Sequence, residues 1–235
     1  MKTILLATAA MALPLAASAA TVVIDDFNTQ QVVADNPVEP NFPSASEQAD
    51  GNVLGGYREL VVETFRSGGP FATALETDTG GDGLLSFSNQ SLQQGEGTVT
   101  YDGEGSSGLG GLDLAMGAPD AGFRFTLADA DAMLTVATTV TDTSGGSSML
   151  ERTFARELIG STLNFAFADF DGDADFASVD SIAFTFSGPQ DLDASIGRIE
   201  AVGGDTPAPI PVPASAALLG TGLLGFAALR RRRKG

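Results

Sequence analysis

Cysteine, histidine and tryptophan are all missing from this chain of 235 residues, and each absence removes a class of explanation. Without cysteine there is neither a disulfide framework nor a thiolate metal site, so stability has to come from packing or from bound ions. Without histidine the side chain that most often moves protons near neutral pH is gone, and with it every Ser/His/Asp or Cys/His arrangement. Carboxylates alone are left as acid and base, so a secreted Asp/Glu hydrolase is the enzyme class that composition leaves standing, and the chain reads as non-enzymatic. Positive charge is scarce in the middle: all 30 acidic residues lie between Asp25 and Asp205, a stretch that holds only six arginines and no lysine. Such a field repels phosphate backbones and anionic lipid, which excludes nucleic acid as a partner of this region, while cations and neutral, hydroxyl-rich ligands stay acceptable.

What is present begins at the ends. Residues 1–19 carry Lys2, an apolar stretch from Ile4 to Leu15, and Ala17-Ser18-Ala19, the layout of a signal peptide cleaved after Ala19 or Ala20. Residues 20–204 remain as a single exported domain, within the usual size range for one. Residues 205–213 form a linker in which Thr206 to Pro213 holds four prolines in eight residues, too stiff and donor-poor for a sheet interior. Residues 214–229 are uncharged and apolar, long enough with Val212 and Pro213 to cross a bilayer of about 30 Å as a transmembrane helix. Residues 230–235 close the chain with Arg230, Arg231, Arg232, Arg233 and Lys234, a cluster that stays cytoplasmic by the positive-inside rule.

Pro211-Val212-Pro213-Ala214-Ser215, the Gly-rich apolar segment after it and the terminal Arg cluster together resemble the PEP-CTERM sorting signals, nearest the VPxPA-type variant. The chain departs from the namesake motif in having Pro-Ile-Pro-Val-Pro in place of Pro-Glu-Pro. The resemblance implies a Gram-negative bacterium that makes exopolysaccharide. It also implies signal peptidase and an exosortase-type protease as partners, membrane anchoring in transit, and a destination at the cell surface or in the extracellular matrix. A permanent C-terminal anchor is the competing reading, because hydropathy does not tell a processed tail from a retained one.

Between the ends the hydrophobic period is two. Phe123, Phe125 and Leu127 alternate with Arg124 and Thr126; Leu163, Phe165 and Phe167, then Ile182, Phe184 and Phe186, do the same; Leu134, Val136, Thr138 and Val140 continue it. Breakers at Asn36 to Pro43, Gly68-Gly69-Pro70, Gly80 to Gly83, Gly103 to Gly111, Gly145-Gly146 and Gly188-Pro189 separate about ten or eleven strands. Fifteen phenylalanines can fill the layer between two sheets, which predicts an all-β antiparallel sandwich of jelly-roll type. The opening Val22 to Phe27 and the closing Ile196 to Glu200 are similar to the first and last strands of galactose-binding-like jelly rolls, which implies that the two termini pair side by side.

Two acidic sets point to Ca²⁺. Asp169, Asp171, Asp173, Asp175 and Asp180 occupy loop positions 1, 3, 5, 7 and 12, a spacing from which hard oxygen ligands could converge, although Ala174 stands where an EF-hand loop needs glycine. The other reading of this run is an acidic hairpin of solvated aspartates. The jelly-roll resemblance implies a second ion site at Asp25 or Asp26 with Glu200. Gly103-Glu104-Gly105-Ser106-Ser107-Gly108 satisfies G-x-G-x-x-G, but more glycine follows and no helix to receive a pyrophosphate, so it reads as a loop. For stacking a sugar ring only Tyr57, Tyr101 and surface phenylalanines are available. The function expected is a structural or adhesive surface protein, with a calcium-dependent carbohydrate-binding module that takes extracellular polysaccharide as the alternative.

Overall fold

β-branched and aromatic residues on alternate positions favour a pleated ladder with one buried face. The computed structural model, described over residues 20–35, 43–66, 72–156 and 160–203, contains fifteen strands and no α-helix among those residues. In chain order they are β1 (Thr21–Asp25), β2 (Gln31–Ala34), β3 (Ser44–Ala49), β4 (Tyr57–Arg66), β5 (Thr73–Thr77), β6 (Leu85–Asn89), β7 (Gln94–Tyr101) and β8 (Gly122–Ala130). There follow β9 (Leu134–Asp142), β10 (Ser147–Phe154), β11 (Thr162–Ala166), β12 (Asp171–Gly172), β13 (Val179–Ser187), β14 (Asp193–Ile196) and β15 (Ile199–Val202). The first sheet runs β1-β15-β8-β14-β6-β5-β2 with β11 on β8, and the second runs β12-β10-β9-β13-β7-β4-β3. Every pairing is antiparallel.

The alternation read from the sequence sets the inner faces. Phe123, Phe125 and Leu127 of the first sheet and Ile182, Phe184 and Phe186 of the second are all buried, and Phe123 meets Phe184 edge to face at 5.3 Å between ring centroids. β1 pairs with β15, Thr21 opposite Val202 and Val22 opposite Ala201, so the first and last strands do lie side by side.

Fifteen strands exceed the ten or eleven expected because the ladders are interrupted. β15 and β14 follow each other along one flank of β8, opposite Gly122–Arg124 and Leu127–Ala130. Between them the Gly197 amide donates to the Thr126 carbonyl at 2.9 Å, so one line of pairing is counted twice. Phe167, expected at the end of a strand, instead opens a 3-10 turn after β11 ends, half-buried and stacked on Phe176 at 4.3 Å. The Gly103 to Gly108 segment forms a 3-10 turn at Glu104–Ser106 and no longer helix follows.

The signal peptide, the sorting motif, the transmembrane helix and the basic tail all fall outside the described residues. Among the described residues no helix is long and apolar enough to cross a membrane.

Candidate functional site

The five aspartates of the acidic run lie on different local elements, and the carboxylates of three of them, Asp169, Asp173 and Asp175, have partners nearby. Asp169 pairs with Arg152. Asp171 sits in β12 opposite Met149. The Asp173 carboxylate accepts from the Ser147 amide at 3.0 Å, and that of Asp175 from the Ala177 amide at 2.9 Å. Asp180 lies on β13 with its carboxylate against Gly108, where a larger residue would collide with it. Among the described residues no three acidic side chains gather as a metal would need.

The run contributes donors instead. The Asp175 amide donates to Asp142 Oδ2 at 2.8 Å, and the Ala174 amide to Ser148 Oγ at 3.0 Å. Asp142, the last residue of β9, also accepts from the Ser144 hydroxyl and amide, both at 2.7 Å, and from the Gly146 amide at 3.0 Å. Hydrogen bonds from the Ser144 hydroxyl and then the Asp175 amide hold this carboxyl down to about 2, because each favours the ionised form.

The second acidic set is also separated. Asp25 points into the core, where its carboxylate receives the Arg58 guanidinium, the Tyr101 hydroxyl and the Phe27 amide, each at 2.8 Å. Burial raises its pKa, and Arg58 pulls against that rise. Asp26 accepts from the Asn28 amide, while Glu200 accepts from Arg124 Nε at 2.9 Å and Nη2 at 2.7 Å. Two of these carboxylates thus face arginines, Asp25 meeting Arg58 and Glu200 meeting Arg124. Arg58 also donates to the Gln31 side chain at 2.9 Å, the Thr29 carbonyl at 2.8 Å and Thr77 Oγ1 at 3.1 Å. Sequence reasoning missed it, although an arginine in phase with Leu60 and Val62 on an alternating strand was the available signal.

A concave feature lies elsewhere, on the outer face of the second sheet. An open trough of about 440 Å³ is lined by Glu96, Ser187, Thr135 and Thr153 below and by Phe65, Gln94, Met133 and Pro189 along its rim. The floor is one cross-strand row, since Glu96 stands opposite Ser187, Ser187 opposite Thr135, and Thr135 opposite Thr153. Glu63 extends the row opposite Glu96. Burial first, and Glu63 second, push the Glu96 carboxyl up.

Phe65 reaches the rim because the β4–β7 register shifts between Thr64 and Arg66, a bulge that ends regular pairing and re-aims the side chain. Phe65 is 46% exposed and Met133 60%, so apolar surface borders a floor of oxygen atoms. Of these residues the sequence marks only Pro189, as a strand breaker, because outward-facing serines and threonines look like any solvated strand face.

The fold and this face define a two-sheet antiparallel β-sandwich with an open trough on one outer surface. No family model and no curated protein matches the sequence. Among solved structures, CtCBM11, known in solution with binding studies, shares 11% identity over 81% of this chain and 99% of its own, with a TM-score of 0.42. A family 11 carbohydrate-binding module from Clostridium thermocellum, solved with a β-1,3-1,4-mixed-linked tetrasaccharide, shares 13% identity over 80% of this chain and 98% of its own (TM-score 0.36). A family 30 carbohydrate-binding module shares 11% over 79% and 94% (TM-score 0.36). Values at this level mark a broad similarity of shape and bring no ligand to this chain.

Proposed function

We propose that the chain is an exported, non-enzymatic surface protein that adheres to a neutral polysaccharide through the trough on its second sheet. The observation that carries this reading is the pairing of a floor of Glu96, Ser187, Thr135 and Thr153 with the exposed Phe65, Met133 and Pro189 beside it. A sugar presents hydroxyls at its edges and C–H groups on its faces, so it asks for both kinds of surface at once. The net charge of −18 supports a neutral ligand, because an acidic polymer would be repelled.

Delivery fits the same reading. The terminal signals and Pro211 to Ser215 are those of an exported protein processed on its way to the surface, and a matrix polysaccharide is the polymer it would meet there.

A glycan array of neutral and acidic polysaccharides, probed with wild type and Phe65→Ala, tests the binding. Neutral glycans bind the wild type, the variant loses that binding, and chromogenic glycosides are not turned over. Turnover, or failure to bind any glycan, overturns the reading. Fractionation with tags at both ends of the mature chain tests delivery: a cytosolic protein that still carries its first residues overturns that part.

A further inference from the structure

We infer that the trough takes an extended, β-1,4-linked neutral polysaccharide lying across the strands, with one sugar over each of five strands; this rests on the polysaccharide reading proposed above. Glu63, Glu96, Ser187, Thr135 and Thr153 sit in a single register row on β4, β7, β13, β9 and β10. Neighbouring strands are about 4.8 Å apart, so the row offers an oxygen-bearing side chain at each step over a span of about 19 Å. That step is close to the rise of one hexose in an extended β-1,4-linked chain.

The direction follows from what borders the row. On one side stand Phe65, Gln94, Pro189 and Met133, which close the face against a chain running parallel to the strands. On the other side the next row is Val61, Thr98, Thr185, Ala137 and Glu151, short over its middle three positions, where Thr98 and Thr185 hydroxyls bond to each other at 2.9 Å. A polymer therefore has room across the strands and a wall along them.

The row is also graded. Its β4–β7 end carries two carboxylates, which only accept hydrogen bonds when ionised, and its β9–β10 end carries hydroxyls, which donate and accept. Thr135 and Thr153 bond to each other at 2.9 Å, leaving each hydroxyl capacity for a second partner. Two glutamates directly opposite each other cost stability in an empty sheet, and a hydroxyl donor laid over both relieves that cost.

The test is titration calorimetry of the full chain in detergent with β-1,4-linked gluco- and manno-oligosaccharides from di- to heptasaccharide, and with neutral polysaccharides of other linkages. Affinity is expected to climb with each added sugar to about the pentasaccharide, by roughly tenfold or more in total, and then to level off. Thr153→Ala and Glu63→Gln, at opposite ends of the row, are each expected to weaken the pentasaccharide more than the disaccharide, with circular dichroism melts verifying the fold. If the disaccharide binds as tightly as the heptasaccharide, the site is a point contact and the inference is wrong, while the polysaccharide reading stands. If only polysaccharides of another linkage bind, the commitment to a β-1,4 chain is wrong and that reading again stands. If no oligosaccharide or polysaccharide binds, that reading itself fails.

Discussion

Arg58 of β4 and Asp25 of β1 meet at 2.8 Å with neither side chain exposed to solvent, joining the two sheets through the core. A buried pair of this kind adds little net stability over a well-packed apolar pair, but removing one partner strands a charge. Asp25→Ala is therefore expected to cost about 3 to 5 kcal/mol in urea unfolding. The double variant Asp25→Leu/Arg58→Met is expected to be more stable than Asp25→Ala. Equal midpoints for Asp25→Ala and wild type would contradict the assignment.

Asp142 sets an acid limit. Its folded-state value of about 2 lies below the ordinary 3.8, so its contribution is present above the ordinary value and is lost as pH falls toward about 2. Asp142→Asn is expected to be less stable than wild type near neutral pH and to lose less between about pH 4 and pH 2. Melting temperatures across that window check it, and parallel curves for the two proteins would contradict it.

Thr138 offers a gain. It faces the core between Val136 and Val140, and its hydroxyl is buried without a hydrogen-bond partner. Thr138→Val removes that unpaired group at nearly the same volume and is expected to raise stability by about 1 kcal/mol. A denaturant titration that shows destabilisation would mean that the hydroxyl is satisfied.

Calcium is expected to leave the melting temperature unchanged, since the acidic run from Asp169 to Asp180 is dispersed among hydrogen bonds and one ion pair. A rise on adding Ca²⁺ that a chelator reverses would mean that these carboxylates regroup around the ion.

Period two made the fold legible. Ile182, Phe184 and Phe186 alternate with small or polar neighbours, and a one-residue slip would turn all three to solvent, so their burial follows from the sequence alone. The pairing of β1 with β15 was legible only through resemblance, because nothing local in Val22 to Phe27 names a partner 170-odd residues away.

The site was not legible. Spacing predicts that Asp169 to Asp175 converge, since residues two apart share one face of a regular strand, but the segment is not one: Asp169 closes a 3-10 turn, β12 holds only Asp171 and Gly172, and the amides of Ala174 and Asp175 turn to Ser148 and Asp142. The trough arises from register: Glu63, Glu96, Ser187, Thr135 and Thr153 are far apart in the chain and become one row only when five strands align. A single sequence carries no signal for that alignment.

The most direct test of the proposed binding face is an amide-resonance map of the isotopically labelled protein during titration with a neutral β-1,4-linked pentasaccharide. The account predicts shifts concentrated at Phe65, Glu96, Thr135, Thr153 and Ser187, with the outer face of the first sheet unmoved. Shifts confined to that first sheet or to the acidic run at Asp169 to Asp175, or no shifts at any residue, would contradict it.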